Sequence, residues 1–281
     1  MKKIKGFTLL ELIIVMAILS ILMVAIIQLF KPIRETYVDA TLYEAQRTTQ
    51  NGIVMYVSES VRFSTDLGLY TKGGGGANSA ADAIDKFADA YNTANNYTGA
   101  DATAVKTAIQ KQAEVIIIDN TTGGYEFNGT KYTGRILRRK LDGNTITAEP
   151  AGADNVKWRL ALGSAYYGDS SYDIRLTPPD KHDDGTGLAP LVIADWTTGW
   201  TPNYGIEVTV TSQAENKMRG TYTDASGNKK YKLATTTNNA LVVCKNHTLG
   251  GMFETTYYNQ SNISGPNTKI YIVYLNDKIT P

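Results

Sequence analysis

The chain has 281 residues, 28 basic and 27 acidic side chains, and a formal charge of +1, so no strong field of either sign drives the whole molecule onto nucleic acid or anionic lipid. A lone cysteine, Cys244, cannot close an intramolecular bridge, which excludes a disulfide-stapled framework. Hydrophobic residues at 42% and charged residues at 20% are globular values, and only the N-terminal end departs from them.

Phe7 to Phe30 is a near-continuous apolar run of 24 residues. As a helix it would span roughly 36 Å, against about 30 Å of bilayer hydrocarbon. Lys2, Lys3 and Lys5 precede it without an acid, which keeps the N-terminus cytoplasmic and sends the remainder outward. A removable secretory signal has a shorter apolar stretch and a small-residue cleavage site, and Gln28-Leu29-Phe30-Lys31-Pro32 offers none. A plain anchor explains length and lysines but not Glu11, because an acid within a span is costly unless it is paired or at the interface. A cut between Gly6 and Phe7 would create an amine one helical turn before Glu11, where the carboxylate also meets the positive end of the helix dipole. Solvation of Glu11 at headgroup level is the competing account, and chemistry alone leaves both open.

The stretch KGFTLLELIIVMAIL resembles the N-terminal motif of type IV pilins and pseudopilins: a short basic leader, Gly6, Phe7, Thr8, then Glu11 as the fifth residue after the cut. The resemblance covers roughly the first 60 residues. It implies that a prepilin peptidase cleaves after Gly6 and methylates the new amine of Phe7, and that Glu11 pairs with the terminal amine of an adjacent subunit during polymerisation. It also implies, as partners, other pilin subunits in a homo-oligomeric filament and a membrane assembly platform. The protein would first be a single-pass membrane protein with its head outside, then part of a cell-surface filament. Loss of the three leader lysines would leave 25 basic against 27 acidic side chains, or −2.

Beyond the apolar run, Pro32 is expected to bend or loosen the helix. Helical spacing resumes with Ile33 and Tyr37, then Ile53, Val57 and Val61, and Gly52 lowers propensity by about 1 kcal/mol relative to alanine. The helix end is placed near Phe63 to Asp66. Gly73 to Gly76 in TKGGGGANSA form a flexible joint; the lysine precedes the glycines, so this is not a phosphate-binding loop. Ser79 is expected to cap a helix whose face holds Ala80, Ile84, Phe87 and Tyr91, and Asp101 a second holding Val105, Ala108 and Ile109.

After Ala113 the period becomes that of strands: EVIIID, GRILRRKL, VKWRLAL, SYDIRL, GIEVTVT, KMRGTYT, KKYKLAT, NALVVC and TKIYIVYL. Asn128-Gly129, Asp142-Gly143 and Ser226-Gly227-Asn228 are turn signals among them. The expected fold class is α+β, a long N-terminal helix packed on a head with antiparallel β-sheet and two short helices. The expected organisation is a leader (1–6), a transmembrane and filament-core helix (7–30), its amphipathic continuation (31–64) and an exported head (65–281).

Site-like patterns in the head are few. Cys244 with His182 or His247 is a poor catalytic pair, Cys244 and His247 are too few ligands for structural zinc, and no Gly-x-Ser-x-Gly elbow occurs. Asp180, Asp183 and Asp184 in PPDKHDDGTG place oxygens in a glycine-containing loop that suits calcium. It is not an EF-hand, since Leu191 stands where the bidentate glutamate belongs, and a solvated acidic turn is the preferred reading. Arg135, Arg138, Arg139 and Lys140 form a basic cluster that invites nucleic acid, as do Lys229, Lys230 and Lys232; charged residues on an exposed strand face are the plainer account. The 18 tyrosines suit strand packing, and Tyr257 and Tyr258 could join a contact surface. The expectation is therefore a structural filament subunit without catalytic residues or an obligatory cofactor. The alternatives are a minor pilin or type II secretion pseudopilin and, from another class, a membrane-anchored surface binding protein or enzyme.

Overall fold

The last strand of the chain, KIYIVYL, sits inside the largest sheet rather than at its edge. The computed structural model describes residues 8–72, 77–127, 130–139, 146, 158–168, 170–177, 182–183, 188–189, 204–244 and 268–281. Among these, the first helix, α1, runs Leu9–Val61 and passes Pro32 as one helix. The elements that follow it are β1 (Asp66–Thr71), α2 (Ala80–Ala94), α3 (Gly99–Gln112), β2 (Glu114–Asp119), β3 (Tyr125–Phe127), β4 (Thr130–Tyr132), β5 (Arg135–Arg139) and β6 (Trp158–Leu160). The remainder are α4 (Ser164–Tyr167), β7 (Ser171–Thr177), β8 (His182–Asp183), β9 (Leu188–Ala189), β10 (Tyr204–Thr223), β11 (Lys229–Cys244) and β12 (Lys269–Leu275). The chain divides into two units, Met1–Ala45 with Glu215–Ala234, and Gln46–Ala214 with Thr235–Pro281.

In the second unit, the five-stranded sheet has the order β1-β12-β2-β5-β6 with antiparallel pairing throughout. Both of its faces are covered, which explains why β2 and β12 read as unbroken apolar runs rather than alternating ones. Ile116, Ile118, Ile270, Ile272 and Tyr274 face a core that also holds Ile53, Val57 and Val61 of α1 with Ile174, Val208 and Val210 of the second sheet. Val115, Ile117, Tyr271 and Val273 face the α2–α3 hairpin, against Ile84, Phe87, Tyr91, Val105 and Ile109. Full burial of each such side chain stabilises by about 1.5–3 kcal/mol.

The second sheet has the order β11-β10-β7. Asn120 joins it to the first: its Nδ2 donates to the carbonyl of Ile174 at 2.7 Å, and its Oδ1 accepts from the Ile174 amide at 3.1 Å. Gln50 of α1 donates through Nε2 to Ser212 Oγ at 3.0 Å and to the Thr236 carbonyl at 2.8 Å, fastening the helix to β10 and β11. The C-terminal tail is pinned by Tyr91, whose hydroxyl donates to the Ile279 carbonyl at 2.7 Å and accepts from the Ile279 amide at 3.1 Å.

Several expectations are met at residue level and several are corrected. Ser79 caps α2, accepting from the Asp82 amide. The cap of α3 is Thr98, with no side-chain bond, and Asp101 lies in its first turn; Gly99 at φ 58° takes the left-handed entry that places the helix start earlier. The segments GIEVTVT and KMRGTYT are one strand, β10, and KKYKLAT and NALVVC are one strand, β11. β1 pairs along its length with β12, although its sequence DLGLYT gave no strand signal. A Cβ at Gly68 would stand 2.7 Å from the Phe87 ring, so this strand carries glycine to admit α2. Asn128-Gly129 and Asp142-Gly143 lie outside the described residues, whereas the turn between β10 and β11 is formed: Gly227 has φ 83°, and Asp224 Oδ1 accepts from the Ser226 and Asn228 amides.

Candidate functional site

Thr8 and Glu11 build the N-terminus of α1 between them. The Thr8 amide donates to Glu11 Oε2 at 2.9 Å, the Thr8 hydroxyl donates to the same oxygen at 2.9 Å, and the Glu11 amide donates to Thr8 Oγ1 at 3.3 Å. This is a reciprocal capping box: each side chain satisfies a backbone donor that the first helical turn leaves orphaned. The pattern Thr-x-x-Glu at residues 8 to 11 is the sequence signal for it, and the expectation for Glu11, which weighed an amine partner, the helix dipole and headgroup solvation, passed over it. Glu11 Oε1 carries no hydrogen bond among the described residues, so the capped carboxylate keeps an acceptor at the positive end of the helix dipole. Gly6 and Phe7 lie outside the described residues.

Downstream of this cap, every large apolar side chain from Leu9 to Phe30 is exposed, with values from 39% at Ile26 to 78% at Leu9. Among the described residues α1 is the one helix long and apolar enough to cross a membrane, and none of its most apolar window is buried within the chain. Two hydroxyls on this stem are satisfied along the helix itself. Ser20 donates to the Met16 carbonyl at 2.7 Å, and Thr36 donates to the Pro32 carbonyl at 2.9 Å, as an apolar surrounding requires. The apolar stem and its capped carboxylate therefore suit a lipid bilayer or a bundle of like helices, with one charge held at the end.

The basic cluster has a different environment from a solvated strand face. Arg135 is 2% exposed, lies over the Tyr167 ring at 4.6 Å, and donates to the carbonyls of Thr133 at 2.9 Å and Ser170 at 3.0 Å. Arg139 is equally buried and donates to the carbonyls of Ala113, Gln110 and Lys111. Arg138 pairs with Glu114 at 3.1 Å, and this carboxylate pushes the guanidinium further up from its ordinary range. The three guanidiniums are thus engaged in the fold, and a nucleic acid could reach Arg135 or Arg139 only by displacing it from its carbonyls. Lys140 lies outside the described residues.

Of the acidic loop, Asp180 and Asp184 lie outside the described residues, while Asp183 belongs to β8, which pairs with β9. Among the described residues no group of three His, Cys, Asp or Glu side chains could hold a metal ion. Cys244 is the last residue of β11; His247, Tyr257 and Tyr258 are outside the described residues.

No curated protein and no solved structure matches the chain. Residues 1–27 match the family profile described as the prokaryotic N-terminal methylation motif. That profile ends inside the apolar stem, and it covers Gly6, Phe7, Thr8 and Glu11. The chain therefore carries the type IV pilin and pseudopilin signature at its N-terminus, joined to an α+β head of antiparallel sheets and short helices.

Proposed function

We propose that this chain is a structural subunit of a type IV pilus or a related filament. A prepilin peptidase removes residues 1–6 and methylates the amine of Phe7; the subunit then waits in the membrane through its stem until an assembly platform adds it to a polymer of its own kind. The observation that carries this reading is the coincidence of the methylation motif at residues 1–27 with a stem whose apolar side chains are unburied from Leu9 to Phe30.

Transfer of the stem from lipid to a helical core keeps apolar surface dry in both places, so hydrophobicity alone does not drive the step, and packing and charge must select it. The capped Glu11 supplies that selection. Its Oε2 is held by Thr8, and its Oε1 accepts the terminal ammonium of a neighbouring subunit. A buried carboxylate without such a counter-charge would be expelled from the core.

The test is the mature N-terminus. Mass spectrometry of protein sheared from cells should give a chain beginning at N-methyl-Phe7. A chain still beginning at Met1 returns the stem to a plain anchor and removes the filament reading. The proportion of this chain in the sheared filaments separates a major subunit from a minor or pseudopilin one.

A further inference from the structure

In the first unit, the distal parts of β10 and β11 form a ribbon beside the stem segment that follows the apolar run. Asn216, 1% exposed, donates through Nδ2 to Asp39 Oδ1. The helix positions Glu35, Val38, Asp39, Leu42 and Tyr43 are half-buried, so its covered stripe continues past Asp39 toward the apolar run. From Asn216 the strand continues seven residues to Thr223, roughly 23 Å at strand rise. From Asp39 back to Phe30 is nine helical residues, about 14 Å. The ribbon is therefore longer than the distance from its anchor to the end of the apolar run.

Beyond Gly220 the described ribbon side chains are exposed on both faces, apart from a half-buried Asp224. Tyr222 is 43% exposed, Tyr231 36% and Leu233 46%, and Lys217, Lys229, Lys230 and Lys232 are exposed with them. Lys217 lies 6.0 Å from the Tyr231 ring centre, and Lys230 pairs with Asp224 at 3.0 Å within the turn. Lysine beside tyrosine is the composition of a water–membrane interface: the ring sits at headgroup level while the ammonium meets anionic lipid. The matching stem segment of a second copy offers Lys31 and Arg34 against Glu35, Asp39 and Glu44, which is too nearly balanced to attract a basic ribbon.

We propose that the ribbon tip, Tyr222 to Leu233, rests on the headgroup layer of the membrane that the stem enters, with its lysines on anionic headgroups and its tyrosines at the interface; this rests on the reading of the stem as a membrane anchor. The ribbon acts as a foot that holds the waiting subunit at a fixed height and leaves the lipid when the stem is withdrawn.

The test uses the full chain, with Cys244→Ser and a single environment-sensitive label, in vesicles of phosphatidylcholine with or without phosphatidylglycerol. A label at Ser226→Cys should be quenched by a headgroup-bound quencher about threefold or more strongly when the anionic lipid is present. Lys229→Gln with Lys230→Gln and Lys232→Gln should abolish that difference. A label at Ala17→Cys reports the anchor separately and should be quenched from the acyl region in either lipid. Quenching at Ala17 with none at Ser226 overturns the foot and leaves the anchor standing; no quenching at Ala17 overturns both. Shielding at Ser226 that follows protein density and ignores lipid charge assigns the ribbon to a second copy and overturns the proposal. Clumping of the lysine variant with unchanged Ser226 quenching reduces the lysines to guards of a strand edge, and overturns it too.

Discussion

Arg139 on β5 donates from Nη1 to the carbonyl of Ala113 at 2.8 Å, closing the C-terminus of α3 with a side chain from a strand 26 residues downstream. Its Nη2 takes the Gln110 carbonyl at 2.9 Å. A cation at the negative end of the helix dipole, buried and hydrogen-bonded to three backbone carbonyls, stabilises both elements. Arg139→Met keeps the aliphatic stem but takes this donor away from the buried Ala113 carbonyl and the part-buried Gln110 carbonyl. It should destabilise the chain by about 2–4 kcal/mol, read as a lower urea midpoint in detergent-solubilised protein. An unchanged midpoint would mean that the helix end finds other partners.

Gly52 and Tyr166 form a second pair of this kind. A Cβ at Gly52 would overlap the phenol oxygen of Tyr166 and stand 2.7 Å from its Cζ, while that hydroxyl donates to the Thr48 carbonyl at 2.9 Å. The glycine that weakens the helix by propensity is the notch that seats the tyrosine. Gly52→Ala should therefore fail to show the gain of about 1 kcal/mol that helix propensity alone gives. In a Tyr166→Ala background the same substitution should recover it. A double-mutant cycle with no coupling between the two positions would refute the notch.

What the sequence made legible follows from where each element finds its partners. β2 and β12 are apolar on both sides because both faces of their sheet are covered, and such runs are plain without any structure. β1 was invisible because Gly68 breaks its pattern to admit Phe87, and because its ladder partner lies at the other end of the chain. The middle of β10 faded because its inward residues Ser212 and Asn216 are polar, each meeting a polar side chain of α1, Gln50 and Asp39 respectively. The burial of Arg135 and Arg139 depends on tertiary acceptors that no local pattern announces. At the candidate site the reverse holds: the apolar run and Glu11 are contiguous, and contiguous chemistry is what a sequence displays best, although the Thr-x-x-Glu cap in the same stretch was passed over.

Buried tyrosines give the head an alkaline limit. Burial, and next the Glu114 carboxylate, push the Tyr274 hydroxyl up from an ordinary 10.0 to about 12. Burial likewise raises Tyr56, Tyr91 and Tyr167. Between pH 10 and 12 the unfolded phenol has lost its proton while Tyr274 keeps it, so the unfolded state gains and stability falls as pH rises. Below pH 10 this contribution is fully present. Tyr274 alone accounts for about 2–3 kcal/mol over that window. Absorbance of ionised tyrosine followed together with circular dichroism should rise in two stages, exposed rings first and buried rings with unfolding; smooth ionisation without loss of structure would contradict the burial argument.

The two functions of Glu11 can be separated by charge. Glu11→Gln retains a carbonyl oxygen that accepts from the Thr8 amide at the position now bonded at 2.9 Å, so the helix start survives, but the acceptor offered to a neighbouring ammonium becomes neutral. Glu11→Ala removes both, and Thr8→Ala removes the hydroxyl half of the cap while leaving the charge. Loss of a capping residue costs about 0.5–2 kcal/mol locally, too little to expel a 24-residue apolar run from a membrane. All three variants should therefore fractionate with membranes. If the ammonium contact selects assembly, sheared filament should fall sharply for both Glu11 variants and only modestly for Thr8→Ala. Filament yield from Glu11→Gln equal to that of the unaltered chain would assign Glu11 to capping alone and leave subunit selection to helix packing.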